Sequence, residues 1–339
     1  MQTLWASIVV FGLLIFFHEF GHFIVAKLAG IKVHEFSLGF GPRLAGLPRG
    51  ETTYNLRLLP LGGFVRMAGM DPEDKEADDE RGFNKKPVWQ RALVIVAGPL
   101  MNFLLAALLL AVIFAAQGMP APTTTVSKLL PGQPAEKAGL RPGDRIVAID
   151  GQPVQSWEQI SQLISGLPDR RIDLTVVRNQ NRKNITLVTA RDPSGQGKIG
   201  IYPSQEMQRM GLFTAVGKGM EYTARISVLI LDFIGKMITG RAPAELGGPV
   251  RIVQEIHTAV GMGIFYLLQL AAFLSINLGL FNLLPIPALD GSRVVFLAVE
   301  GLRGRPVDPA KENFIHLVGF GLLLLLIVVI TYNDVLQIM

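Results

Sequence analysis

Phe16-Phe17-His18-Glu19-Phe20-Gly21-His22-Phe23 sets an H-E-x-x-H pattern inside one of the most apolar parts of the chain. In a helix, residues four apart share a face, so the imidazoles of His18 and His22 can grip one metal ion. Glu19 falls beside them, where it can take a proton from a water held there. Zinc peptidases use this spacing. The plainer reading is a polar cluster tolerated by packing. It must accept three ionisable side chains next to the nearly uninterrupted hydrocarbon of residues 4–17, and such groups are costly enough in a bilayer to mark function.

Half of the residues are hydrophobic, and four segments, 4–29, 93–116, 264–284 and 314–332, reach the roughly twenty apolar residues that a spanning helix needs. The fold class is therefore a polytopic α-helical membrane protein with about four transmembrane helices. Its net charge of +5 is scattered and does not point to nucleic acid. Ten Lys and Arg lie in 30–91 and four in 286–312, with none before the first span and none after Lys311. By the positive-inside rule both loops are cytoplasmic, and both termini and the long segment between spans two and three lie outside. The first span lacks a basic leader and a small-residue cleavage pattern, so it is expected to be retained rather than removed as a signal peptide. With no cysteine in the chain, any metal must be held by His and carboxylate.

After the first span, Phe36, Leu38 and Phe40 alternate as a strand. A second run, 54–58 and 64–67, is punctuated by Pro60 and Gly62-Gly63, and the pair reads as a β-hairpin. It is either a small structural sheet or an edge on which an extended substrate pairs, since a peptidase needs its substrate unwound. His34 reads as an ordinary surface histidine. Residues 71–80 hold seven carboxylates and one Lys, as in a solvated, mobile loop. In span two, Ala97 and Gly98 allow close helix contact, and Asn102 is a polar group at lipid depth that needs a partner.

Residues 123–203 change to the character of a soluble α+β domain. A strand, a short helix over 134–138, a strand, the Asp150-Gly151 turn, a helix over 157–166, two strands over 172–177 and 184–189 and a closing Ile199-Gly200-Ile201 follow one another. The ordered Pro131-Gly132, Ala138-Gly139-Leu140, Gly143-Asp144-Arg145-Ile146 and Asp150-Gly151 signatures resemble a PDZ domain. The resemblance implies a groove that binds a peptide C-terminus by strand addition, with Ile199, Gly200 and Ile201 as its edge. Residues 211–240 place Lys218, Glu221, Arg225, Asp232 and Lys236 in one stripe opposite Ile230, Ile234, Met237 and Ile238. Such a helix lies in the membrane interface or packs on the transmembrane core.

A catalytic zinc keeps three protein ligands and an open position, so His18 and His22 need a third. Pro285 and Pro287 cannot sit in a regular helix, and backbone unwound at this depth must line a cavity or be buried in protein. Asp290 follows them at the cytoplasmic end of span three, the depth that the topology gives His18 and His22, and is the best third ligand. Glu300 and His316 are its rivals.

The His18-Glu19-x-x-His22 motif, the Asn282-x-x-Pro285-x-Pro287-x-Leu289-Asp290-Gly291 motif, the Gly98-Pro99-Leu100-x-Asn102 stretch and the PDZ-like insert together resemble the site-2 protease family, over essentially the whole chain. Most similar are the bacterial regulators of the sigma-E protease type, here with one PDZ domain where some members have two. The resemblance implies an intramembrane zinc metalloendopeptidase of the bacterial inner membrane, with one Zn2+ per chain, that cuts single-span membrane proteins. Asn102, Asn277 or Asn282 could steady the oxyanion or the substrate backbone, and the resemblance favours Asn282. The rival function is a membrane-anchored PDZ adaptor with a structural or vestigial metal site. A zinc transporter would need a second set of intramembrane ligands.

The expected organisation is a first helix with the motif (1–29), a cytoplasmic loop with a membrane-associated hairpin (30–92) and a second helix (93–117). The extracytoplasmic PDZ-like domain (123–203), interfacial amphipathic helices (204–263), a third helix with its Pro-broken end (264–291), a cytoplasmic loop (292–312) and a fourth helix (313–333) follow.

Overall fold

The computed structural model describes residues 1–70, 79–242 and 247–338, and the chain divides into two compact units, Met1–Phe114 with Gly211–Met339, and Ala115–Met210. Residues 71–78 of the acidic run lie outside the described residues. Among the described residues, four helices are long and apolar enough to cross a membrane.

The first of these, α1 (Gln2–Leu28), is followed by Gly30 at φ +68°, a conformation that suits glycine and closes the helix. Phe16, Phe20 and Phe23 recur at helical spacing on one side of α1, and His18 and His22 form a second row about 200° round the axis from Phe16 and Phe20. The phenylalanine row packs on a sheet made by β1 (Val33–Arg49) and β2 (Thr52–Met67), with Phe23 5.4 Å from Phe36 and 5.8 Å from Tyr54. The hairpin turn lies at Gly50-Glu51, with Gly50 at φ +63°, and not at the Pro60 to Gly63 punctuation. That punctuation instead bends β2, with Gly62 at φ +96°, while Gly39 at φ +89° bends β1. The bends let residues 35–38 take ladder partners on both sides, 63–66 on one and 53–56 on the other, leaving 63–67 and 43–49 as outer edges.

The second span, α2 (Val88–Gln117), meets α1 through small residues. A Cβ on Gly21 would strike the Ala97 carbonyl, and one on Gly98 would enter the His22 ring.

The second unit runs β3 (Met119–Leu129), α3 (Pro134–Lys137), β4 (Arg145–Ile149), β5 (Gln152–Pro153), α4 (Trp157–Ser165), β6 (Arg171–Arg178), β7 (Asn181–Val188), β8 (Ala190–Arg191), β9 (Gly197–Lys198) and β10 (Ile201–Gln208). Its main sheet has the order β10-β3-β4-β6-β7, with β5 paired to β4. Asp150 and Gly151, at φ +48° and +77°, supply the two positive-φ residues of the tight β4–β5 hairpin. Ser156 caps α4 by accepting from the Gln159 N–H. Ile146, Ile149, Ile160, Ile164, Leu174 and Val176 fill the core between sheet and helix. Ile199 and Gly200 connect β9 to β10 outside either strand, and their carbonyls accept from Ala135 and Leu130 N–H at 2.9 Å each. Ile201 begins β10, and β10 and β7 are the outer strands.

The chain returns to the first unit in α5 (Leu212–Ile238), α6 (Pro249–Met262), α7 (Ile264–Leu283), α8 (Asp290–Arg303) and α9 (Pro309–Ile338). In α5, Ala215, Gly219 and Thr223 form the buried stripe. A Cβ on Gly219 would strike the Ala107 carbonyl of α2, and Tyr222 stands edge-on to Phe114 at 5.8 Å. The segment packs on α2, with Lys218–Glu221 and Asp232–Lys236 pairs along its exposed side. The 292–312 stretch expected as a loop is largely helix: α8 runs to Arg303 and closes on Gly304 at φ +67°. Its run of Val294, Val295, Phe296 and Leu297 was masked, at the sequence level, by the basic residues that mark the topology.

Candidate metal centre

α1 sets His18 and His22 one turn apart, and the irregular segment after α7 delivers Asp290 as the first residue of α8. Gly291 makes this delivery possible. A Cβ there would strike the carbonyls of Leu283 and Leu284, so the start of α8 lies directly against the end of α7. His18 Nε2 is 3.1 Å from Asp290 Oδ2, His22 Nε2 is 3.4 Å from it, and the two Nε2 atoms are 3.2 Å apart.

Hydrogen bonding fixes what these atoms present. His22 Nδ1 donates to the Val94 carbonyl of α2 at 2.8 Å, which leaves Nε2 with its lone pair. Asn102, fully buried in α2, places its side-chain Nδ2 3.1 Å from His18 Nδ1 and leaves Oδ1 without a partner; turning the amide over gives Oδ1 a donor, puts the His18 proton on Nδ1 and leaves Nε2 with its lone pair. Asp290 Oδ2 is buried and has no hydrogen-bond donor. Three lone-pair atoms thus face one another, an arrangement that a cation resolves. Donors on a tetrahedral zinc with bonds of about 2.0–2.1 Å stand roughly 3.3–3.4 Å apart, so the observed spacing and the donor set fit zinc. Among the described residues, His18, His22 and Asp290 are the one such group of potential metal ligands, with all three donor atoms within 4.8 Å of one another.

Glu19 lies beside this group, and its carboxylate makes no hydrogen bond or ion pair among the described residues. The outer strand of the sheet runs against it, close enough that a Cβ on Gly63 would come within 2.9 Å of Glu19 Cγ.

The rival ligands have other partners. Glu300 is engaged by both terminal nitrogens of Arg91, one at 3.1 Å. His316 Nδ1 accepts from the Ala288 N–H at 3.0 Å. Of the three asparagines considered for the oxyanion, Asn102 contacts His18, and Asn277 donates to its own helix at Phe273. Asn282, in the last turn of α7, makes no hydrogen bond among the described residues. His34 is half-buried on β1 rather than exposed, and is outside the group.

Sequence reading missed the supporting residues. Ser275 donates to the backbone carbonyl of Asn102 at 2.8 Å, joining α7 to α2 behind His18. The Val94 carbonyl carries no side-chain signal at all. Gly98, whose missing side chain makes room for the His22 ring, was visible as a small residue suited to helix contact and as part of the Gly98-Pro99-Leu100-x-Asn102 stretch, not as a neighbour of His22.

A family model described as Peptidase family M50 matches residues 6–326. Zinc metalloprotease RasP of Geobacillus kaustophilus is 35% identical over 415 aligned positions, covering 99% of this chain and 98% of that protein. The regulator of sigma-W protease RasP of Bacillus subtilis is 35% identical, with 99% and 98% covered. Among solved structures, a PDZ domain of an SdrC-like protein from Listeria monocytogenes is similar at 20% identity and a TM-score of 0.23, covering 24% of this chain and 87% of that one.

Proposed function

The chain belongs to peptidase family M50 and is a metalloendopeptidase, and we propose that it cuts single-span membrane proteins within the bilayer by zinc-dependent hydrolysis. The observation that carries this reading is the convergence of His18, His22 and Asp290 in a chain whose described residues include four membrane-length apolar helices.

In this reading His18 Nε2, His22 Nε2 and Asp290 Oδ2 would hold one Zn2+ per chain; the Val94 carbonyl keeps His22 in the ligating tautomer, and the Asn102 amide, turned so that its oxygen faces the ring, would do the same for His18. Zinc held there would supply a Lewis acid that makes a water more acidic and polarises a carbonyl. Glu19, free of other partners, accepts the proton from water and returns it to the departing amine. Asn282, with its amide unspent, donates to the scissile carbonyl oxygen as negative charge grows there. An unwound substrate segment pairs with the outer strand at 63–67, which passes Glu19 and has a free ladder edge. In the PDZ-like unit the outer strand β10 is the groove edge, taking a peptide C-terminus and filtering substrates. The protein resides in the bacterial inner membrane, in contact with lipid. Both termini and the PDZ-like unit are extracytoplasmic, and the ligands lie toward the cytoplasm, as the Lys and Arg distribution supports.

The test is cleavage of a single-span reporter by the purified full chain in liposomes. Cleavage should stop on chelation and return with zinc. Bound zinc with no proteolysis of several helix-destabilised reporters would instead favour the adaptor.

A further inference from the structure

The segment that carries Asp290 is held from outside its own helices. Residues 284–289 are irregular, and Ala288, two positions before Asp290, has φ +74°. For a residue with a Cβ this is an uncommon and costly conformation, so something around it must hold it. The holding group is on α9. His316 Nδ1 accepts the Ala288 N–H at 3.0 Å, and one turn further on Gly319 lies flush on Pro287, whose atoms a Cβ at position 319 would strike. Phe296 of α8 stands edge-on to the His316 ring at 5.7 Å and fixes its plane. The bond requires an unprotonated Nδ1, which places the ring proton on Nε2, 3.7 Å from Glu312.

We propose that His316 is a positioning residue for Asp290, acting through the Ala288 N–H to hold the left-handed turn that aims the carboxylate at His18 and His22. This rests on the zinc reading above. It gives α9, of which few residues are buried, a stated part in the site.

The experiment compares zinc affinity, by competition with a chromophoric chelator, and reporter cleavage for the full-length wild type, His316→Leu and His316→Asn. Leucine keeps bulk but has no acceptor, whereas the asparagine Oδ1 falls near the place of Nδ1. Loss of a supporting partner typically weakens metal binding about 10–100-fold, so the leucine variant should bind zinc at least tenfold more weakly, and asparagine should return to within about threefold of wild type. Adding Ala288→Gly to the leucine variant should recover part of the loss, because glycine adopts φ +74° without cost. Wild-type affinity in the leucine variant overturns the proposal, as does an asparagine variant that binds as poorly as leucine. If the leucine variant does not accumulate, asparagine decides alone: affinity within threefold of wild type supports the proposal, and a larger loss overturns it. Failure of the zinc reading itself would appear separately, as a wild type that binds no zinc.

Discussion

Asp144 and Asp290 are both aspartates drawn out of water, one in the PDZ-like unit and one among the transmembrane helices, and their surroundings are opposite. Asp144 is fully buried and saturated with donors: Arg178 Nε to Oδ1 and Nη2 to Oδ2 at 2.6 Å each, and the Arg141 N–H to Oδ2 at 2.8 Å. Asp290 Oδ2 has no donor and faces two imidazole nitrogens that carry lone pairs. A carboxylate ringed by N–H groups is a structural joint. One ringed by lone pairs is complete only with a cation. Burial alone does not distinguish them; the identity of the neighbouring atoms does.

The sharpest way to break this contrast is to remove each carboxylate in turn. Asp290→Ala leaves two ligands, so zinc content should fall to background and cleavage by about a thousandfold or more, with unfolding of the PDZ-like unit unchanged. Asp144→Ala should do the reverse. It removes the acceptor of Arg178 and of the Arg141 N–H, and should lower the unit's stability in denaturant unfolding while zinc content holds. The smallest effect is expected behind the ligands. Asn102→Leu removes the partner of His18 Nδ1 and should weaken zinc binding about tenfold in the same chelator competition.

Acid should separate the two regions as well. Burial pushes the Asp144 carboxyl up, but the hydrogen bonds from Arg178 and the Arg141 N–H, together with the charge of both arginines, prevail and hold it below its ordinary value. A carboxyl depressed in the folded state contributes stability that is complete above its unfolded pKa, about 3.9, and is lost as the pH falls through its lower folded value. Protection of the β4 and β6 amides, measured against intrinsic exchange at each pH, should therefore fall below about pH 4 in the wild type, and Asp144→Asn should lose that step.

Much of this contrast was legible in the sequence, because hydrophobic length, H-E-x-x-H spacing and a proline pair act through local rules. His18, Glu19, His22 and Asp290 could be named before any coordinates, and so could four membrane-length helices, α3, α4 and the strands β3, β4, β6 and β7. What stayed hidden depends on contacts between distant segments. Pro60 and Gly62-Gly63 look like a hairpin turn, yet they bend β2 so that it pairs on both sides of β1, and the turn sits at Gly50. Ala288 has none of the residue character that announces a positive φ, since the hold comes from His316, 28 positions away. His316 was weighed as a ligand because a histidine in a span demands a role, and a backbone N–H leaves no trace in sequence. Ile199 and Gly200 had the look of a strand, but their carbonyls were committed to the turn at Leu130 and the start of α3.

The most direct measurement is on Glu19→Gln, which keeps the size of the side chain and cannot accept the proton. Zinc content by metal analysis and cleavage of the single-span reporter are read on the same full-length preparation. The variant should carry zinc as the wild type does, about one per chain, and cleave nothing above background. Full cleavage with zinc bound would contradict the role given to Glu19 and, with it, the mechanism.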